Sequence, residues 1–477
     1  MSATVRLTAS PWLLLTALIV AEVVSAFEGA MIWAAMRVLY DLLEDPVLVG
    51  WVITSYFLVS GGACVIGARL ADLFGRRRVL VWVLAIAGFG SMVCALWPEN
   101  LTMLLLGRAI QGVSAAILPI CYGLAREHLP QKMAMSAVGL LAATIGLAAG
   151  SGLLLGGMIV DHLDWYWIFY LSAALTPVAI VLIRAWVPDS DPTYDGRGVD
   201  IVGGILFAPG IMLFLFAISQ ARHWGWGDER ILLLLVGSGL TLVLWAAYEL
   251  RHRSPMVDLR LFANRQAALS LLAMVLCCGA FQANSLISLL VQAPTWTGAG
   301  LGLSATTAGG IMFASQLAGM PAGPWAARLL YRHSARHAML IGGLILSVAW
   351  IGMTLDHGSP WTLLPLLLLH GFGLTMIFAI VPMALMQVVP PERTSEATGV
   401  VSVVRQIFIG VGSQIMAVLL ATATVADAPG SGKVYPAPSA FLLVFAAITT
   451  SAVLICLIAL ALSKPRAMKQ EGFAEPA

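Results

Sequence analysis

The sequence predicts an all-α polytopic membrane protein, and three observations predict it. Hydrophobic residues make up 60% of the 477-residue chain and Asp, Glu, Lys and Arg together only 10%, far below the roughly 25% that a soluble domain carries. The apolar residues gather into runs long enough to cross a hydrocarbon layer of about 30 Å as helices. The polar residues fall between those runs, in short loops.

In chain order the runs are 11–35, 47–70, 79–97, 101–125, 133–160, 165–187, 200–220, 231–250, 266–295, 303–328, 337–355, 361–389, 396–424 and 437–462, fourteen spans. The first follows one basic residue, Arg6, and has no small-residue cleavage site, so it reads as a span rather than a removable leader. Basic residues alternate between loops. Arg69 with Arg76 to Arg78, Arg126 with Lys132, Arg251 with Arg253, Arg260 and Arg265, and Arg328 with Arg332 and Arg336 all follow even-numbered spans. The other loops hold chiefly Arg37, Arg222, Arg230 and Lys433. The positive-inside rule then puts both termini in the cytoplasm, as an even span count requires.

An internal repeat is visible. ARLADLFGRRR from Ala68 lies over ARLLYRHSARH from Ala327, and the same shift carries Gln111-Gly112 onto His370-Gly371. Two related halves explain this, and parallel repeats put a binding site near the midplane between two helix bundles. The expected division is a six-helix bundle over 1–187, a linker with two additional spans over 188–265, a second six-helix bundle over 266–463 and a cytoplasmic tail over 464–477. PDSDPTYDGRGVD, 188–200, opens the linker, and HWGWGDER turns between spans seven and eight.

Several function classes are disfavoured. Net charge is +2 with basic residues in short clusters, so nothing points to nucleic acid. All six cysteines lie in apolar runs, where thiols pack as small hydrophobes, and none reads as a metal ligand. The polar loops contain no phosphate loop, zinc-ligand spacing or nucleophile elbow, which argues against an enzyme and against ATP-driven transport. No cofactor is expected. The expected partners are a small-molecule substrate, protons and the lipid bilayer, with the chain working as a monomer.

Four stretches carry the functional signal. GARLADLFGRRR sets Asp72 against Gly75, Arg76 and Arg77 at a cytoplasmic turn, where an acid can pair with an arginine or a helix N-terminus in one conformation and lose it in another. LGRAIQGVSAA buries Arg108, with Gln111 one turn on; a lone guanidinium there costs at least ~2.5 kcal/mol unless it finds a partner or water. GLAAGSGLLLGGMIVD packs Gly152, Gly156 and Gly157 into span five, where small residues allow close helix approach. AFEGAMIWAAMR places Glu28 and Trp33 in the first span, six residues beyond a second acid, Glu22.

In these residues the chain resembles the major facilitator superfamily. Asp72, Gly75, Arg76 and Arg77 match its G-x-L-a-D-r-x-G-r-r loop, with Ala68 in place of the first glycine and Leu73 in place of a basic residue. Arg108, Gln111 and Gly112 match its R-x-x-q-G pattern. Gly152, Gly156 and Gly157 match its antiporter motif G-P-x-x-G-G, except that Leu153 replaces the proline. PMVDLRLFANRQ, VPPERTSEATGVVSVVRQ, GLSATTAGG and the WGW turn are similar to the fourteen-helix drug:proton antiporter group over nearly the whole chain. That group's first span carries L-D-x-T-x-x-N-x-A-L-P, which Phe27, Glu28, Ala30, Trp33, Ala35, Met36 and Arg37 meet only in part. The resemblance implies the major facilitator fold, two six-helix bundles plus two linker helices, and proton-coupled efflux of hydrophobic or amphipathic molecules across a bacterial inner membrane, driven by the proton gradient.

Glu28 is then the candidate proton carrier, since a carboxyl group in a low-dielectric site beside a cation such as Arg108 can hold or release a proton. The competing reading is a carboxylate wetted near the external end of the helix. Glu22 lies deeper and, six residues away, about 120° around the helix, so the two need not share a site. His370 is a candidate relay or a structural histidine bonded to a neighbouring helix. Gln282, Asn284, Gln292, Gln316 and Arg405 are lesser candidates for lining a cavity. Proton-linked uptake, transport of a lipid or metabolite, and a non-transporting sensor or scaffold are the remaining alternatives.

Overall fold

The computed structural model describes residues 10–190, 200–252, 255, 259–387, 394–426 and 434–462. Arg6, most of the linker opening (191–199), Arg253, the loop 388–393, Lys433 and the tail 464–477 lie outside the described residues.

Among the described residues, thirteen helices are long and apolar enough to cross a membrane. The expected tenth span is the exception. It is two helices, Ala305–Gly319 and Ala322–Arg332, because Pro321 lacks an N–H and clashes with the preceding turn. With that broken pair counted as span ten, the spans are Pro11–Leu43, Pro46–Phe74, Arg76–Leu96, Leu101–His128, Gln131–His162, Trp167–Trp186, Ile201–Trp224, Glu229–Glu249, Arg265–Gln292, Ala305–Arg332, Ala335–Leu355, Pro360–Met386, Thr394–Leu420 and Pro438–Ala461.

Local chemistry sets many boundaries. Asp45 accepts from the Val47 N–H with Pro46 at the first helical position, Asn100 caps span four, and Ser359 with Pro360 starts span twelve. The WGW turn reverses at Gly225, φ +88°, and Asp228 caps the next helix. The repeat extends to these boundaries. The shift that carries Arg76 onto Ala335 also carries Leu96 onto Leu355, Pro46 onto Ala305 and Leu101 onto Pro360, all helix ends.

The halves meet along two related seams. Span two packs on span thirteen, and span five packs on span ten; exchanging the halves exchanges the seams. Spans seven and eight pack mainly on each other, and span seven also touches spans two and thirteen.

Toward the ends remote from the Arg-rich loops, the external side on the positive-inside argument, hydrogen bonds join the halves. Asp161 of span five accepts from the N–H groups of Ala305 (3.0 Å) and Thr306 (2.7 Å), while Ser304 takes that of Thr307. A carboxylate from one half thus sits on the positive end of a helix in the other. Ser288 donates to the Trp33 carbonyl at 2.5 Å, and Thr54 to the Gly410 carbonyl at 3.1 Å. A two-stranded hairpin, Thr424–Ala426 with Val434–Pro436, brings Tyr435 onto Asp41 at 2.9 Å and stacks it on Tyr40. Burial, with the Asp41 carboxylate beside it, pushes the Tyr435 phenol up from its ordinary value, so it remains a donor.

Gly157 fixes the second seam, since a Cβ there would meet the carbonyl of Ala305, and a Cβ on Gly309 would meet that of Leu153. Gly157→Ala should force the helices apart at a cost of about 1–3 kcal/mol and reduce transport about tenfold. Gly146→Ala, on the same helix with nothing within 4 Å, is the control. Thermal unfolding in detergent together with vesicle flux checks both; equal behaviour of the two variants would place the tight contact elsewhere.

Candidate functional site

Three of the spans that meet near the centre are interrupted. Span one turns into a 3-10 stretch at Met31–Ala35, span four does so at Gly112–Ala116, and span nine breaks at Gln282. Interruptions alter the i→i−4 ladder and leave carbonyls needing donors, which in a dry interior costs several kcal/mol each. Side chains of neighbouring spans supply them. Ser60 donates to the Gly112 carbonyl (3.1 Å), Ser25 to that of Ser114 (3.0 Å) and Cys64 to that of Ala115 (3.2 Å).

Glu28 occupies the last turn of the helix Pro11–Ala30 and is only 3% exposed. The wetted-end reading therefore fails. Its Oε1 accepts from Ser91 Oγ of span three at 3.0 Å. Ser91 Oγ accepts from Gln111 Nε2 at 2.7 Å, and Gln111 Oε1 accepts from an Arg108 Nη at 2.9 Å. The same Arg108 nitrogen donates to the backbone carbonyl of Glu28 at 2.7 Å. The result is a closed ring: Glu28 carboxylate, Ser91, Gln111, Arg108, Glu28 carbonyl. The carboxylate and guanidinium are joined through Gln111 and Ser91 rather than by a direct ion pair.

Arg108 is fully buried. Its Nε donates to the Val52 carbonyl of span two at 3.3 Å, and its guanidinium carbon lies 4.6 Å from the Tyr56 ring centre. Tyr56 in turn shares a hydrogen bond with Ser114 at 3.1 Å. Among the described residues, Glu28 Oε2 and the other Arg108 Nη have no hydrogen-bond partner.

Glu22 lies in a different environment. It is also 3% exposed, and its Oε2 has no partner among the described residues. The six-residue offset separates the acids as helical geometry requires: Glu28 meets Ser91 of span three, and Glu22 does not join that ring.

The remaining candidates scatter. Trp33 joins the seam through its carbonyl and stacks on Phe57 at 6.4 Å. His370 Nδ1 accepts from Trp350 Nε1 at 3.1 Å, between spans eleven and twelve, which matches the structural-histidine reading and keeps it apart from the Glu28 ring. Gly152 and Gly156 face Phe27 and Ala34 of span one, whereas Gly157 faces span ten. Gly75, φ +91°, makes the turn that the basic loop needs. Arg76 donates to Asp72 at 2.9 and 3.2 Å and to Glu127 of span four at 3.0 Å, and Arg77 to Asp189 at 2.6 Å. The Arg76 pairs lie within the first half, and Arg77 ties that half to Asp189 at the start of the linker.

Ser91, Tyr56 and Asp161 are functional-looking residues that the sequence reading missed. Asp161 closes the glycine stretch GGMIVD and was open to notice as an acid at a span end; Ser91 and Tyr56 sit in apolar runs without any pattern.

The sequence model of the Major Facilitator Superfamily matches residues 18–413. The multidrug transporter protein MdtP of Bacillus subtilis (strain 168) is 27% identical over 405 residues, 84% of this chain and 73% of that protein. The puromycin resistance protein pur8 of Streptomyces alboniger is 30% identical over 435 residues, 87% of this chain and 83% of that one. Among solved structures, the nucleoside transporter NupG superposes with a TM-score of 0.68 at 12% identity, covering 94% of this chain and 99% of its own. The xylose transporter XylE from E. coli gives 0.61 at 12%, covering 97% and 99%. At such identities the structural likeness bears on fold alone.

Asp72 and Arg76 form a part-exposed pair, so losing it should change stability by less than about 1 kcal/mol. Asp72→Asn should therefore insert and fold normally yet transport several-fold more slowly, with substrate binding better preserved than turnover. Wild-type rates in the purified variant would reduce the loop to a topological anchor.

Proposed function

This chain belongs to the major facilitator superfamily, and from that premise we propose that it is a proton-coupled antiporter exporting hydrophobic or amphipathic small molecules across the bacterial cytoplasmic membrane, as a monomer, by alternating access. It is an integral multi-pass membrane protein and a transporter of small molecules; its likeness to a multidrug transporter and a puromycin resistance protein supports the efflux direction.

One observation carries the proton coupling. Span one holds two buried carboxylates, neither directly ion-paired among the described residues, each with an oxygen that no donor meets. Keeping such groups in a span is costly unless their charge state is used. Glu28 has the better-built surroundings for a proton to come and go. Ser91 Oγ lies 3.0 Å from Glu28 Oε1 and 3.3 Å from the Ala87 carbonyl. With Glu28 ionised, Ser91 donates to the carboxylate. With Glu28 protonated, the hydroxyl turns to Ala87 and accepts from the Glu28 O–H, while Gln111 keeps its bond. Proton uptake then needs no displacement of Arg108.

Proteoliposomes with an imposed pH gradient and the lipophilic cation tetraphenylphosphonium test this. Wild type should drive the cation against the proton flux, which separates antiport from uptake. Glu28→Gln keeps size and hydrogen-bonding capacity but cannot release a proton, so gradient-driven accumulation should vanish while downhill exchange survives. Glu28→Asp should retain more activity. Glu22→Gln is the matched comparison: accumulation surviving at Glu28→Gln and lost at Glu22→Gln would move the proton to Glu22.

A further inference from the structure

The cytoplasmic turn between spans ten and eleven repeats the one between spans two and three, but without its acids. In the first half the arginines of this turn are neutralised, Arg76 by Asp72 and Glu127 and Arg77 by Asp189. The shift that relates the halves carries Arg69 onto Arg328 and Arg77 onto Arg336, yet it carries Asp72 onto Tyr331 and Glu127 onto Met386. The chain has no Asp or Glu between Asp258 and Asp356, and Asp356 follows the far end of span eleven. Arg328 and Arg332 are exposed, and neither has a hydrogen bond or an ion pair among the described residues. Their charges are left for a partner outside the chain.

Local geometry gathers these charges. Arg328 and Arg332 stand four residues apart on the helix Ala322–Arg332 and so share a face, where like charges repel. With Trp325, Leu329 and His333 they line a cavity of about 510 Å³. At ~30 Å³ for each water, that is room for many waters and more than a small inorganic anion fills. The cavity has an apolar approach. Trp325 rests on Phe372 of span twelve with ring centres 5.4 Å apart, and Leu317 and Met320, deeper in span ten, are exposed. A tryptophan set between an apolar stretch and a cationic one is what a helix presents at the headgroup level. Arginines that only anchored topology would need neither a shared face nor a cavity beside them.

We propose that this cavity is a headgroup site for an anionic phospholipid of the inner leaflet, of the phosphatidylglycerol type, with its phosphodiester on Arg328 and Arg332 and an acyl chain running past Trp325 along Leu317 and Met320. Guanidinium groups suit phosphate because their planar donors meet two oxygens at once. Basic pockets on the cytoplasmic side of membrane proteins take headgroups of this charge. A zwitterionic headgroup brings a cation with its phosphate and answers two arginines less well. A soluble phosphate ester finds the same donors and nothing for the apolar surface. The second half thus takes from the bilayer the negative charge that the first half carries in Asp72 and Glu127. The site stands whether or not transport is coupled to protons.

Native mass spectrometry of the purified full chain, released from a non-ionic detergent after titration with phosphatidylglycerol or phosphatidylcholine of identical acyl chains, tests it. Wild type should bind its first phosphatidylglycerol about tenfold more tightly than its first phosphatidylcholine. Arg328→Gln and Arg332→Gln should each weaken phosphatidylglycerol about fivefold, the scale of one basic residue at an anionic headgroup, and leave phosphatidylcholine unchanged. The two together should erase the preference. Replacing both by lysine keeps the charge that insertion needs and should retain part of it. Arg336→Gln, on the same turn but outside the cavity, should change binding by less than about twofold. Glycerol 3-phosphate, the soluble fragment, should not displace the lipid. Equal binding of the two lipids by wild type, a preference that survives the double glutamine variant, equal losses at all three arginines, or displacement by glycerol 3-phosphate overturns the site. The third of these marks diffuse attraction to a basic loop, and the last a site for a soluble ester. Should the double glutamine variant fail to fold, the single variants and the lysine pair decide, since a lysine pair without any preference overturns the site as well.

Discussion

A fully buried guanidinium governs the first half of this transporter. Arg108 is fully buried, and each of its bonds draws in a different piece of structure: the carbonyl of Glu28 in span one, the carbonyl of Val52 in span two, Gln111 on its own helix and the face of Tyr56. Removing a cation of this kind leaves several acceptors without a donor in low dielectric, which is far more costly than its net contribution as a contact. The ring through Ser91 and Gln111 follows from it. Arg108 orients the Gln111 amide, the amide orients the Ser91 hydroxyl, and the hydroxyl meets the carboxylate. The acid at position 28 is thus held by a chain of neutral groups that ends in a fixed charge.

The seams obey the opposite logic. Across them the contacts are those of small residues against backbone, Gly157 on Ala305 and Gly309 on Leu153, or of single polar groups on a carbonyl or a helix end. A carboxylate at a helix N-terminus contributes about 0.3–1 kcal/mol, up to ~2 when partly buried. Such terms close the external side without locking it. Within each half, by contrast, buried polar groups are tied in several directions. Rigid bodies joined by weak, repeated contacts are what a rocking mechanism requires, and the pseudo-symmetry lets one pair of seams serve both ends.

Much of this was legible in the sequence because hydrocarbon enforces it. The spans, the broken symmetry of the linker pair and the repeat all follow from apolar run lengths and a single offset, and the structure carries that offset down to helix ends such as Leu96 and Leu355. What was illegible depends on which way a residue faces. The run 303–328 reads as one span by hydropathy, yet Pro321 divides it. Asp72 and Arg108 could be picked out by charge and motif, but not that Arg108 bonds the carbonyl rather than the carboxylate of Glu28. Ser25, Ser60 and Cys64 look like filler in apolar helices; they are donors to the carbonyls that the interruption of span four leaves needing them. No periodicity announces that, because the need arises on a different helix.

On the antiport reading, the question is how a proton at Glu28 is felt at the seam between the halves. Glu28 is enclosed within a single half, so its proton can be held whichever way the seam stands. The physical link is short. Arg108 binds both the carbonyl of Glu28 and that of Val52 on span two, and span two is the helix whose Gly61 packs against Ile407, two residues from Arg405. Span two also forms one face of the seam with span thirteen, so the helix that Arg108 holds is one that moves when the halves move. Coupling of this kind is reciprocal: on the antiport reading, whatever moves span two at the seam acts back, through the same helix, on the ring that holds Glu28.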